Sequence, residues 1–193
     1  MIPYGHQNLD DSDIAAVLNV LRGDWLTQGP TIELFEQRVA KYVNAKYAVA
    51  FSSGTAALHA AVSVSELGLG DNVVTSPLSF MASANCARYV GATPRLVDIS
   101  SLTWNLETKD FGDDLDGAVI VHFAGLPVDL SNPGWKKRPR VIIEDAAHAL
   151  GALTPYGPVG NCAHSDMCCF SFHPVKSITT AEGGMVTTNS EVF

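Results

Sequence analysis

The chain has 193 residues, 47% of them hydrophobic, and a formal net charge of −8 at pH 7. That length holds one domain with a sizeable core, and the composition is that of a globular protein and not a disordered one. An acidic balance with no basic block argues against a general nucleic-acid surface, and no apolar run is long enough to span a bilayer.

Met1 to Asp13 has neither a basic n-region nor an apolar h-region, so it does not read as a signal peptide. The four cysteines lack a framework spacing and read as reduced thiols of a cytoplasmic protein. Cys162, His164, Cys168 and Cys169 are close enough to raise zinc. Two of these cysteines are adjacent in an apolar run, however, and neighbours on a strand point to opposite faces. The expectation is therefore no metal, with the thiols as ordinary buried groups.

The first predicted helix covers Asp11 to Leu21, with Ile14, Val17, Leu18 and Leu21 on one face and Gly23 ending it. Asp24 to Pro30 is turn-rich and carries Trp25 and Leu26. It reads either as a packing anchor or as an exposed loop that meets a ligand or a second subunit. Pro30 or Thr31 opens a second helix, with Leu34, Phe35, Val39, Tyr42 and Val43 as its apolar stripe. Strand and helix then alternate. Strands are expected at Tyr47–Phe51, Val73–Ser76, Arg95–Ile99, Ala118–Phe123 and Arg140–Glu144, and helices at Ala56–Leu67 and Phe80–Val90. The pattern predicts an α/β domain on a mostly parallel sheet. Leu126 to Pro139 is the one linker-like piece, and its basic run Lys136-Lys137-Arg138 reads as a solvated face.

Ligands of open parallel sheets sit outside the carboxyl ends of the strands. Three stretches fall there. Ser53, Gly54 and Thr55 join a strand to a helix, where free N–H groups, the helix dipole and two hydroxyls suit a phosphate. Helix capping alone produces the same letters. No G-x-G-x-x-G and no P-loop lysine accompany them, which disfavours a dinucleotide or a nucleoside triphosphate. Asp145 ends the apolar strand Val141-Ile142-Ile143 and needs a cation or a capping role. His148 follows one turn on, either reaching the same ligand or hydrogen-bonded at the core edge. The third stretch is Cys168 to Val186. An apolar strand, Cys168 to Phe172, precedes a loop marked by Pro174 and Gly183-Gly184, and a further strand starts near Met185. Lys176 sits between them with little charge around it. Desolvation there lowers a lysine pKa and makes the amine a usable Schiff-base former; otherwise Lys176 is a solvated loop lysine. One ligand unites a phosphate turn, an acid for a protonated ring nitrogen and a lysine for an aldehyde: pyridoxal 5′-phosphate (PLP). Phe80, just past another strand end, is placed to stack on its ring.

The order of Asp24-Trp25-Leu26-Thr27-Gln28-Gly29-Pro30, Ser52-Ser53-Gly54-Thr55-Ala56-Ala57-Leu58, Glu144-Asp145-Ala146-Ala147-His148 and Phe172-His173-Pro174-Val175-Lys176 resembles the DegT/DnrJ/StrS-type sugar aminotransferases. The resemblance covers essentially the whole chain. It implies the fold of PLP-dependent transferases of fold type I, with residues 1–193 as the N-terminal and large PLP-binding domain and the smaller C-terminal domain absent. The Phe-His-Pro-Val-Lys version of the lysine motif is similar to that of members aminating C4 of a UDP-linked 4-keto-6-deoxy sugar, with an amino acid, glutamate, as donor. By this resemblance Lys176, Asp145 and His148 are catalytic, and Gly54, Thr55 and Ser171 bind the phosphate. Phe80 stacks on the ring, and Trp25, Leu26 and Thr27 line the sugar site. A homodimer working in cell-surface polysaccharide biosynthesis is implied too. A PLP-dependent sugar dehydratase, in which histidine replaces the lysine, and a non-catalytic module are the alternatives; Lys176 speaks against the dehydratase. Ala181 departs from the pattern, which usually has glycine there.

Overall fold

A computed structural model describes residues 5–193 except 113, 132 and 136. Part of the Met1 to Asp13 stretch and Lys136 of the basic run thus lie outside the described residues. Lys137 is exposed, and Arg138 is drawn to Asp166 at 2.9 Å.

Local chemistry starts and stops the first helices. Helix α1 (Asp11–Arg22) opens on a capping box, with Asp10 accepting from the Ser12 and Asp13 amides and Asp13 reaching back. Helix α2 (Pro30–Val43) starts with proline in its first turn and stops at Asn44, which takes the left-handed conformation at φ 60°. The predicted apolar face of α1 exists, but Ile14, Val17, Leu18 and Leu21 all stay exposed, and no α1 residue is buried. Periodicity placed the helix correctly and said nothing of what covers it.

Beyond α2 lie strand β1 (Tyr47–Phe51), helix α3 (Gly54–Val64), strand β2 (Asn72–Thr75), helix α4 (Ala82–Tyr89) and strand β3 (Thr93–Leu96). Strands β4 (Gly117–Val121) and β5 (Val141–Asp145) come next, then a small hairpin of β6 (Leu153–Thr154) and β7 (Gly157–Pro158) that the alternation did not announce. Strands β8 (Met167–Ser171) and β9 (Gly184–Thr188) close the series. Several boundaries differ from the sequence expectation. Helix α3 begins at Gly54 and not Ala56, because Ser53 caps it by accepting from the Ala56 amide. Phe123, expected at the end of a strand, instead starts a short 3-10 turn with Ala124 at φ 52°.

The main sheet runs β1-β9-β8-β5-β4-β2-β3. Its pairs are parallel except that β9 lies antiparallel between β1 and β8. This is the mostly parallel mixed sheet expected of fold type I. Side chains alternate across it. Ile143, Met167 and Cys169 pack under α3 and α4, while Cys168, Phe170 and Met185 pack toward α2. The adjacent cysteines thus face opposite layers, for the reason given above. Glu144 points away from Asp145 and meets His122 at 2.6 Å and the Ser165 hydroxyl. The His122 Nδ1 accepts from the Val128 amide at 3.1 Å, so its proton is on Nε2, facing Glu144. Because β1, β8, β5, β4 and β2 all run the same way, their carboxyl ends share one edge. No helix among the described residues is long and apolar enough to cross a membrane.

Candidate active site

A cavity of about 350 Å³ opens at that edge. Most of the sequence-predicted residues line it: Gly54, Thr55, Phe80, Asp145, Ser171 and Lys176. They come from α3, the loop before α4, β5, β8 and the loop between β8 and β9.

Strand β1 ends at Phe51, and α3 starts after two intervening residues, at Gly54. Since Ser53 spends its hydroxyl on capping, the amides of Gly54 and Thr55 are left without an acceptor among the described residues. They project from the positive end of the helix, where an anion is favoured. Gly54 has to be glycine here because a Cβ would lie 2.9 Å from the Ser171 Cβ and 3.3 Å from its Oγ. That close approach brings the Ser171 hydroxyl beside the amides.

Asp145 ends β5 and is buried. No helix follows it, so the helix-cap alternative does not hold. Its Oδ1 accepts from the Ala147 amide at 3.2 Å and its Oδ2 from the Ser83 hydroxyl at 2.6 Å. Lys176 rides on the loop between β8 and β9, which is pinned at its base. The Phe172 amide donates to Gly183 O, and the Thr180 amide and Thr179 hydroxyl donate to Phe172 O. Phe172 is fully buried against Phe35, ring centroids 5.1 Å apart. The Lys176 amine is half-buried, and desolvation lowers its pKa below the usual lysine value, opposed by the charge of Asp145. Lys176 thus lines the cavity and is not a wholly solvated loop lysine. Phe80 lines the cavity and is 75% exposed.

Three expectations fare differently. His148 is not among the lining residues; Ala147 takes that place. Nor is His148 tied down at the core edge, since its ring is exposed and bonds to no described residue. Partial burial lowers its pKa, the Lys176 cation adds to this and Asp145 opposes it, so it lies within electrostatic reach of both. Trp25, Leu26 and Thr27 are exposed and do not line the cavity. The Trp25 side chain packs on Gly29, where a Cβ would come within 2.5 Å of it.

Sequence reading missed Ser83, Ala147, His173 and Glu182 at this site. His173 and Glu182 flank Lys176 in the singled-out loop and were within reach of the reasoning. Ser83 was not, because no spacing rule ties position 83 to position 145. The four cysteines are free and buried, and burial pushes Cys86 and Cys162 up to about 12, so neither is a thiolate near neutrality. Among the described residues no three metal-ligating side chains cluster.

A model of the DegT/DnrJ/EryC1/StrS aminotransferase family matches residues 7–193. A UDP-4-amino-4,6-dideoxy-N-acetyl-beta-L-altrosamine transaminase of Campylobacter jejuni is 39% identical over 201 residues, covering 99% of this chain and 52% of the relative. A candidate sugar aminotransferase of Streptococcus pneumoniae, Spr1654 in its PLP form, superposes with a TM-score of 0.89 at 31% identity, covering 100% of this chain and 54% of that one. Helicobacter pylori PseC, an aminotransferase involved in the biosynthesis of pseudoaminic acid, gives 0.87 at 31%, covering 98% and 52%. The chain thus spans about half the length of these relatives.

Proposed function

We propose, from the premise that this chain belongs to the DegT/DnrJ/EryC1/StrS aminotransferase family, that residues 1–193 form the large PLP-binding domain of a nucleotide-sugar aminotransferase. One observation carries the reading: Lys176, Asp145 and the open amides of Gly54 and Thr55 converge on a single cavity. The donor set fits PLP. Gly54, Thr55 and Ser171 offer two amides and two hydroxyls to a phosphate, Asp145 offers a fixed carboxylate to a ring nitrogen, and Lys176 offers a desolvated amine to an aldehyde. The cavity is also within the size range of cofactor sites.

When bound, PLP supplies an electron-accepting ring through which an amino group passes from an amino acid to a keto sugar. The chain's own residues do the rest. Asp145 holds the proton on the ring nitrogen and keeps the ring electron-poor. Lys176 carries a proton on Nζ between the reacting carbons; its lowered pKa keeps more of it in the basic form at neutral pH. Phe80 would cover one ring face and shield it from water, and His148 would adjust the charge seen by Lys176. The acceptor is C4 of a UDP-linked 4-keto-6-deoxy sugar, in keeping with the name of a relative, and the donor is an amino acid, glutamate. Trp25, Leu26 and Thr27, which stand clear of the cavity of their own chain, contact sugar across a homodimer, and the uncovered apolar face of α1 favours such an assembly. A cytoplasmic location suits the free thiols.

Borohydride reduction of the PLP-treated chain, followed by peptide mapping, tests this. The label is expected on the Lys176 peptide and absent from Lys176→Ala. Label on another lysine, or none on a folded chain, overturns the reading.

A further inference from the structure

Ser83 is fully buried in α4, 62 positions from Asp145 in sequence, and its hydroxyl donates to Asp145 Oδ2 at 2.6 Å. A buried hydroxyl is costly without a strong partner, and alanine would fill the same space between α4 and the sheet. The serine is therefore explained by its bond and not by its packing. The same oxygen lies 3.1 Å from Phe80 O, but a hydroxyl has one proton to give. The shorter, charge-assisted bond to the carboxylate takes that proton. With the Ala147 amide on Oδ1, Ser83 leaves Asp145 no free rotation: both oxygens are held in a side chain that lines the cavity.

We propose that Ser83 is the positioning residue for Asp145, setting the angle at which that carboxylate meets a protonated ring nitrogen. The inference rests on the reading of Asp145 given above. Ser83 does not line the cavity; it acts through Asp145 alone.

This predicts a specific signature. Affinities are measured by equilibrium dialysis for PLP and for the analogue in which CH replaces the ring nitrogen, and their ratio is the nitrogen selectivity. Ser83→Ala is expected to cut that selectivity about tenfold, as the loss of a hydrogen bond to a charged group should. Ser83→Thr, which keeps the hydroxyl, should stay within about threefold of the parent, and Ser83→Cys, with its weaker donor, should fall between. Circular dichroism and urea melts establish that each variant is folded. Should Ser83→Ala not fold, the ordering of parent, threonine and cysteine variants still decides. Unchanged selectivity in the alanine and cysteine variants overturns the proposal. So does an equal loss for both ligands, which marks a purely structural serine. A parent chain that binds PLP and the analogue equally refutes the reading of Asp145 itself, and is thereby distinguished from failure at Ser83.

Discussion

Replacing Gly184 by alanine tests whether the phosphate cradle is built by backbone approach. Gly184 is paired with Phe51 on one side and Ser171 on the other, so it lies in the row that joins β1, β9 and β8 just below the turn into α3. A Cβ there would stand 2.7 Å from the Gly54 amide nitrogen and closer still to the carbonyl carbon and oxygen of Ser53. Real Cβ atoms essentially never come within 3.0 Å of another heavy atom. The φ of Gly184 is not positive, so the cost is steric and not conformational. The clashing atoms are backbone at a helix cap, and Gly184 itself is held in two strand ladders, so neither side can swing aside. Overpacking of this kind costs about 3 kcal/mol, at the upper end of the usual range. For a chain of this size that lowers Tm by roughly 6 to 12 °C. The relief available is a shift of the Ser53-Gly54 peptide, which turns the Gly54 amide off the phosphate, so PLP affinity should fall along with stability. Gly183→Ala is the control: its Cβ meets first the Thr180 hydroxyl, the end of a side chain that can rotate, and a loss of about 1 kcal/mol is expected. Thermal melts and PLP titration of both variants check this. A Gly184→Ala chain melting within about 2 °C of the parent would refute the argument.

Ala181 adopts φ 65°, where a side chain is strained and glycine is free. Ala181→Gly should therefore stabilise the chain by about 0.5 to 1 kcal/mol, the left-handed penalty less the added entropy of glycine; urea unfolding would register the gain. The pKa of Lys176 is lowered in the folded chain from its ordinary 10.5. Between the folded value and 10.5 the unfolded chain holds a proton that the folded one has released, so stability rises with pH across that window, and Lys176→Met should lack the rise. Capture of PLP by Lys176 should accelerate as pH rises toward the lowered folded value and level off before 10.5, and a rate that climbs all the way to 10.5 would oppose the assignment. His148 behaves in the same sense near 6.5: its contribution is present above that value and lost as pH falls through its lower folded pKa, so His148→Gln should flatten the acid limb of a stability-against-pH curve.

Much of this site was legible in the chain. Periodicity located the main strands, and the rule that ligands gather at their carboxyl ends singled out Gly54, Thr55, Asp145 and Lys176. Those signals are local: a strand end, a capping serine, a lysine in an uncharged loop. What tertiary structure decided is which distant residues meet. Gly184 looked like half of a loop marker, but it is a strand residue that must be glycine because the Ser53-Gly54 peptide lies against it. Ser83 reaches Asp145 only because α4 packs in the core layer on that face of the sheet. His148 and the Trp25 loop carry suggestive letters yet stand outside the cavity, and the stripe on α1 predicts a helix but not its cover. Periodicity and turn chemistry depend on neighbours a few positions apart and can be read along the chain. The partner of a buried carboxylate, or of a Cβ that is missing, depends on how the layers pack, and that is set only when the whole sheet closes around its core.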